Sequence, residues 1–123
     1  MKRRARLRHR SEFQVAIAGR RFHQGRAMVG FAVPGATDES RVGVTVSRAI
    51  KGATDRNRAR RRLREVARTN LLGPDSPLRE LGIRYDVVLI ARPSALEVSF
   101  ADLRAEAAQA ALRLAQINAS TKP

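Results

Sequence analysis

An arginine-rich segment is the part of the chain whose residue types point most directly to chemistry. It reads Arg-Asn-Arg-Ala-Arg-Arg-Arg-Leu-Arg-Glu over residues 56–65. A guanidinium group presents a planar fork of N–H donors that matches phosphate oxygens, and it stays charged at every physiological pH. The segment is therefore predicted to bind a polyanion through its phosphates.

The spacing of these cations predicts a helix with one charged face, capped by Thr54 or Asp55 and ending near Asn70. One face of this helix carries amide and guanidinium groups, from Asn57, Arg60, Arg61, Arg64 and Arg68. The opposite face is apolar, with Ala59, Leu63, Val66 and Ala67. Such a helix docks its apolar side on a sheet and presents the cations to a partner. Arg56 and Arg58 complete the set of candidate binding residues.

The acidic and histidine residues lack the spacing of a catalytic or metal site. The carboxylates form no pair suited to two-metal hydrolysis, and the two histidines, His9 and His23, are expected at the surface and are too few for a metal cluster. There is no cysteine, which excludes disulfides and is consistent with a cytoplasmic protein. We predict no catalytic residue, no metal ligand and no catalytic activity of the protein alone.

The net charge of +14 is concentrated in the first 68 residues. Residues 1–26 hold nine basic residues and one acidic residue, residues 27–68 hold ten and four, and residues 69–123 hold six of each. This asymmetry predicts a basic face that meets nucleic acid. A basic N-terminal arm, residues 1–10, contributes Arg3, Arg4, Arg6, Arg8 and Arg10. No apolar run is long enough for a membrane span or a secretory leader, so no membrane partner is expected.

Periodicity predicts the elements of the N-terminal half. Ser11 is expected to cap a helix from about residue 12 to 18. A strand over residues 26–33 is followed by a polar stretch, 36–40, which is typical of a hairpin loop. Residues 41–47 alternate apolar and polar side chains, which is the clearest strand pattern in the chain.

The C-terminal half predicts one buried strand and one long helix. Residues 85–91 are mostly apolar, as in a strand covered on both faces. Ser99 or Asp102 opens the last helix, and the tail 118–123 is expected to be frayed. With a further short strand near Phe22, the order is α-β-β-(β)-α-β-α. The chain is thus predicted to be a single α+β domain, residues 1–123, with about four strands covered by helices.

Four motifs occur in a fixed order along the chain. Residues 41–47 fit R-x-G-x-x-V-S, and residues 56–65 fit R-N-R-x-K-R-x-x-R-E with Arg60 at the common lysine position. Residues 6–13, Arg-Leu-Arg-His-Arg-Ser-Glu-Phe, and residues 90–93, Ile-Ala-Arg-Pro, complete the set. In this order the motifs resemble the protein subunit of bacterial ribonuclease P, over almost the whole chain.

The resemblance implies a function and a set of partners. The family protein binds the catalytic RNA of ribonuclease P and the 5′ leader of precursor tRNA, whose endonucleolytic removal needs magnesium in the RNA–protein holoenzyme. The RNA carries the active site, no metal is bound tightly by the protein alone, and no obligate protein partner is implied. The family fold also implies a left-handed β-α-β crossover around the arginine-rich helix, which general chain rules would not predict.

The resemblance also implies a cleft for the leader between the first helix and the sheet. By position the cleft would include Phe13, Ile17, Phe31 and Arg92, which is sensible because single-stranded RNA stacks on aromatic rings and pairs with cations. Ile17 departs from the aromatic residue that is common in the family, so stacking there is expected to be weaker. Core packing is the open alternative for Phe13 and Phe31.

Two other functions explain parts of the same pattern. A ribosomal or ribosome-assembly protein would have this size and charge, but it would not account for four motifs in order. A DNA-binding protein would use the basic helix in a groove, yet that mode usually needs a dimer or a helix-turn-helix partner, and no such pattern is evident.

Overall fold

A four-stranded sheet forms the centre of the computed structural model, which describes the backbone of residues 3–121 and the side chains of residues 4–117. The strands are β1 (Arg20–Gln24), β2 (Met28–Pro34), β3 (Arg41–Val46) and β4 (Tyr85–Ala91). Their order across the sheet is β1-β2-β4-β3. β2 is antiparallel to both β1 and β4, whereas β3 runs parallel to β4. The predicted α+β class with about four strands is confirmed.

Four helices flank this sheet. They are α1 (Arg10–Ile17), α2 (Ala53–Asn70), α3 (Pro77–Glu80) and α4 (Phe100–Thr121). Single 3₁₀ turns occur at Arg3–Ala5 and Pro93–Leu96. The prediction of a frayed tail is wrong for residues 118–121, which form the end of α4, and Lys122 and Pro123 lie outside the described residues, as do Met1 and Lys2.

The predicted hairpin between β2 and β3 is wrong. The two strands are separated in the sheet by β4, so residues 36–40 connect strands that do not pair. β4 takes the central place because its side chains are almost all buried, which requires cover on both faces and a strand on each side. β3, α2 and β4 form the parallel crossover; its left hand stays an expectation from the family.

The two faces of the sheet are covered to different extents. On one face α2 and α4 pack over a large apolar core that includes Met28, Val44 and Leu89 of the sheet. On the other face only α1 and the preceding segment pack down, around the small cluster of Leu7, Ala16 and Val88. Part of this second face therefore stays accessible.

Two predicted helix starts are two or three residues too late, because His9 and not Ser11 caps α1, and Gly52 and not Thr54 or Asp55 caps α2. α1 begins at Arg10, because one oxygen of the Glu12 carboxylate accepts the backbone N–H groups of Arg8 and His9, both at 2.9 Å. α2 begins at Ala53 after Gly52, whose φ of 86° suits glycine and turns the chain into the helix. Ser99 does cap the last helix, since its hydroxyl accepts the Asp102 N–H at 3.0 Å.

His23 is buried rather than exposed, with 2% of its surface accessible. Its Nδ1 lies 2.9 Å from Nη1 of Arg113, which can only donate, so Nε2 carries the proton and donates to Glu106 at 2.9 Å. Burial alone would raise the pKa of Glu106, but the bonds from His23 and from two backbone amides outweigh it and lower that pKa. The network ties α4 to the turn between β1 and β2.

Candidate nucleic-acid interface

The outward face of α2 holds the predicted row of polar and basic side chains, which we call the helix surface: Asn57, Arg60, Arg61, Arg64 and Arg68. All five are exposed except Arg60, which is half-buried and donates to Oδ1 of Asn57 at 2.9 Å. Arg68 pairs with Glu65 one turn earlier, at 2.6 Å. The opposite face buries the four predicted apolar residues. The helix surface is thus rigid and accessible, as phosphate binding requires.

Arg56 lies on the flank of α2 and turns toward the protein. Its Nη1 donates to the carbonyl oxygens of Ser47 and Ile50, each at 3.0 Å, and its Nη2 lies 3.5 Å from the oxygen of Val46. These carbonyls end β3 and form the loop before α2. Arg56 therefore holds the helix onto the strand, and its side chain is less available to a partner than the sequence pattern indicated.

Arg58 and Arg62 differ in their exposure and in their contacts. Arg58 is exposed, at the side of the helix surface. Arg62 is half-buried, donates to the carbonyl of Val98 and lies 6.0 Å from the centre of the Phe100 ring. Arg62 thus anchors α2 to the start of α4, which agrees with its absence from the predicted binding set.

The N-terminal arm lies along the outer edge of β3. Arg6 forms a parallel bridge with Val42, and the backbone N–H of Leu7 donates to the carbonyl of Val42 at 3.2 Å. Leu7 is buried, which fixes the arm in place. Partial burial, together with the charges of Arg6 and Arg60, lowers the pKa of Arg64 below its ordinary value. The arm and the helix surface therefore form one continuous basic region.

A hollow of about 460 Å³ in this region separates the arm from the loop at residues 37–39. Its lining is mixed in charge: Arg4, Arg6, Arg8, His9 and Arg41 face the acidic residues Glu12, Asp38 and Glu39. Arg4 is tied to Glu39 at 3.3 Å, in an exposed pair. Arg10 is exposed on the first turn of α1, and the side chain of Arg3 lies outside the described residues. Four of the five arm arginines thus have described side chains, and all four are exposed.

The second candidate surface, which we call the open sheet face, is the part of the sheet beyond α1. It consists of half-buried side chains from three strands: Val29, Phe31, Thr45 and Ile90. Val29, Ile90 and Thr45 are register partners in one row across β2, β4 and β3. This row forms a half-buried, mostly apolar floor, and sequence reasoning missed it. The alternation in β3, where Thr45 stands between Val44 and Val46, was the signal that could have found part of it.

α1 supplies the wall of that surface. Phe13 packs over Gly43, where a Cβ would come within 2.5 Å of two ring carbons, and it adjoins the Leu7 cluster. Phe13 therefore has a packing role and only an edge toward solvent. Ile17, one turn later, is 39% exposed. The structure thus places both predicted cleft residues on α1, with Ile17 the more accessible.

Phe31 and Arg92 complete the predicted cleft. Phe31 lies opposite Val88 in the register, is half-buried and belongs to neither apolar cluster, so part of its side chain is accessible. Arg92 is exposed, but its Nη1 donates to the carbonyl of Gly25 at 2.7 Å. Arg92 borders the open sheet face while bracing the turn between β1 and β2.

A part-buried ion cluster fixes α1 on the sheet. Arg41 donates to both oxygens of Asp86, at 3.1 and 2.8 Å, and to Glu12 at 2.6 Å. Bonds from the amides of His9 and Arg8, followed by the bond from Arg41, lower the pKa of Glu12 to about 2. The two carboxylates raise the pKa of Arg41 further above its ordinary value. The wall of the cleft is therefore positioned by charge as well as by packing.

Metal and membrane features were searched over the part of the chain that the structure describes. Within it, no group of three or more histidine, cysteine or acidic side chains is arranged to hold a metal ion. None of the helices there is long and apolar enough to cross a bilayer.

Comparisons with known proteins identify the family of the chain. The family model described as Ribonuclease P matches residues 1–115. The chain belongs to the ribonuclease P protein family. A ribonuclease P protein component from Roseiflexus sp. is 38% identical over 122 residues, covering 98% of this chain and 93% of that protein. One from Dehalococcoides mccartyi is 38% identical over 103 residues, covering 84% and 78%.

Solved structures agree on the fold. The ribonuclease P protein from Thermotoga maritima superposes with a TM-score of 0.62 at 29% identity, covering 82% of this chain and 89% of that one. The protein from Staphylococcus aureus gives a TM-score of 0.64 at 21% identity, covering 90% and 94%, and supports the fold alone.

Family membership fixes the broad role of the chain. It is a protein component of an endoribonuclease complex that acts in tRNA 5′ processing, and its partner is an RNA within a ribonucleoprotein. The four ordered motifs thus outweigh the ribosomal and DNA-binding alternatives.

Proposed function

We propose that the chain binds the catalytic RNA of ribonuclease P through the helix surface and the N-terminal arm, and the 5′ leader of precursor tRNA on the open sheet face. The observation that carries this proposal is the docking of the arm against β3, through the bridge from Arg6 to Val42, beside the helix α2 that packs on the same strand. Clustered like charges are costly unless a polyanion neutralises them. Phosphates of a folded RNA supply that neutralisation.

The open sheet face suits a single strand rather than a duplex. It offers one accessible aromatic ring, Phe31, and an apolar floor, which bind unpaired bases by stacking and contact. Rigid positioning of the leader beside the RNA subunit would raise the affinity of the complex for precursor tRNA over mature tRNA.

Bond cleavage belongs, in this proposal, to the RNA subunit. Three carboxylates beside the two surfaces are paired with arginines: Glu12 and Asp86 with Arg41, and Glu65 with Arg68. The RNA–protein holoenzyme would require magnesium. The protein itself would bind and orient the RNA. The setting for this activity is cytoplasmic.

Reconstitution tests the proposal. The protein is added to a bacterial ribonuclease P RNA at low magnesium, and release of the 5′ leader from precursor tRNA is followed. We expect clear stimulation by the wild-type protein and no cleavage by the protein without RNA. Absence of stimulation, or specific magnesium-dependent cleavage by RNA-free protein, would contradict the proposal.

A further inference from the structure

An exposed arginine on the edge strand β1 adjoins the open sheet face. Arg21 is the register partner of Phe31, and β1 and β2 are antiparallel. Side chains of directly opposed residues in such a pair project from the same face, with Cβ atoms about 5 Å apart. The guanidinium of Arg21 therefore reaches over the same face of the sheet as the Phe31 ring.

The neighbouring arginine confirms the direction in which Arg21 projects. Arg20 pairs with Ala32, a residue of the large core on the opposite face. On that face the charge of Arg20 acts on the Tyr85 hydroxyl, which itself packs against the large core. The register of β1 shifts between Arg21 and His23, so Arg20 and Arg21 both lie in the regular part before the shift. Consecutive residues of a regular strand point to opposite faces, so Arg21 projects toward the open one.

The surroundings leave the guanidinium of Arg21 free for a ligand. Among the described residues it makes no ion pair and no side-chain hydrogen bond, whereas Arg92 donates to Gly25 and Arg41 is saturated by two carboxylates. No described acid pairs with it. Of the three arginines Arg21, Arg41 and Arg92 beside the open sheet face, Arg21 is the one with no acceptor among the described residues.

We propose that Arg21 is a positioning residue for the leader: it binds a backbone phosphate of the nucleotide whose base stacks on Phe31. This inference rests on the proposed function and extends the leader surface to the outer strand of the sheet. A base held by stacking still slides in its plane, and a cation on the adjoining phosphate fixes it through a charged hydrogen bond. Arg21 and Phe31 together would thus define one nucleotide site.

The test compares Arg21→Gln with Arg20→Gln, which removes the same charge from the adjacent residue on the opposite face. Each variant is assembled with the RNA subunit, and the affinity for precursor tRNA is measured beside that for tRNA without a leader. We expect Arg21→Gln to weaken precursor binding roughly threefold to tenfold and to lower the log–log salt slope by about 0.7, with leaderless tRNA unchanged. Arg20→Gln should match the wild type, and Arg21→Lys should recover part of the loss.

Any of the following results would overturn the inference. Equal behaviour of the two glutamine variants would mean that charge at β1 does not act on the leader. Arg21→Gln could instead weaken assembly with the RNA subunit and leave the difference in affinity between precursor and leaderless tRNA unchanged. Arg21 would then contact that RNA and not the leader. If the wild-type holoenzyme itself showed no preference for precursor tRNA, the proposed leader function would fail together with this site. A preference lost in neither variant would leave the proposed function standing and remove only Arg21 from it.

Discussion

Individual arginines in α2 divide by what their guanidinium groups contact. Arg56 and Arg62 donate to backbone carbonyls of the protein, and Arg61 and Arg64 face solvent. Helical periodicity alone does not distinguish these two groups. Arg56 lies on the flank of the helix, where a long side chain can reach either the protein or the solvent. The sequence motif therefore combines a structural residue with binding residues.

Arg56→Gln is expected to destabilise the fold while Arg61→Gln leaves it unchanged. Removal of the Arg56 guanidinium deprives part-buried carbonyl oxygens of their donors, which costs about 1–3 kcal/mol. Denaturant unfolding of the two variants measures this cost, and titration with the RNA subunit measures binding. Arg61→Gln should lower RNA affinity at full stability. A loss of stability in Arg61→Gln, or none in Arg56→Gln, would reverse the assignment.

The stability of the fold depends on pH through the carboxylate of Glu12. Its pKa of about 2 in the folded protein lies below the ordinary value of 4.5, so its ionised form favours folding. That contribution is complete above about pH 4.5 and is lost as the pH falls toward 2. Glu12→Gln should therefore be less stable than the wild type at pH 7, and the difference should shrink between pH 5 and pH 3. Unfolding measured at these pH values checks this, with exposed Glu97→Gln as control; a difference independent of pH would contradict the account.

At the scale of elements, the position of α1 depends on a glycine in β3. Gly43 leaves room for the Phe13 ring, which a methyl group would contact at 2.5 Å. The R-x-G-x-x-V-S pattern is thus a packing requirement: Gly43 seats the helix, and Arg41 fixes it through Glu12. The strand positions the wall of the cleft from beneath.

Gly43→Ala is expected to lift α1 and to cost about 1–3 kcal/mol of stability, as overpacking of a close contact does. Leader-dependent affinity should fall as well, because the wall of the open sheet face moves. Unfolding of Gly43→Ala in a Phe13→Ala background provides the control, since the clash is then absent and the added cost should largely vanish. An equal cost in both backgrounds would show that Phe13 is not what Gly43 accommodates.

Periodicity predicted the elements with strong patterns and missed those that depend on long-range pairing. β4 has the predicted limits, β3 and the end of α2 differ by at most one residue, and the apolar stripe of α4 is buried. The insertion of β4 between β2 and β3 could not be inferred, because chain proximity favours a hairpin. The short helix α3 was also missed, since four residues carry too little periodicity.

At the scale of the whole molecule, the basic residues that are concentrated in the first 68 residues come together in one region of the surface. The N-terminal arm and α2 are separated by some fifty residues, yet the edge of β3 brings them together. Composition predicted that region, and the family motifs predicted its partner. The open row Val29–Ile90–Thr45 and the role of Arg21 required the register of the sheet.

The salt dependence of binding to the RNA subunit tests the assignment of that region most directly. We compare the wild type with a triple variant of the helix surface, Arg60→Gln, Arg61→Gln and Arg64→Gln, and with a control of equal charge that neutralises exposed Arg79, Arg84 and Arg104. The helix-surface variant should bind more weakly, with a log–log salt slope lower by about 2, because three phosphate contacts are lost. The control should keep nearly the wild-type slope. Equal slopes for the two triple variants would contradict the account, since net charge alone would then govern RNA binding.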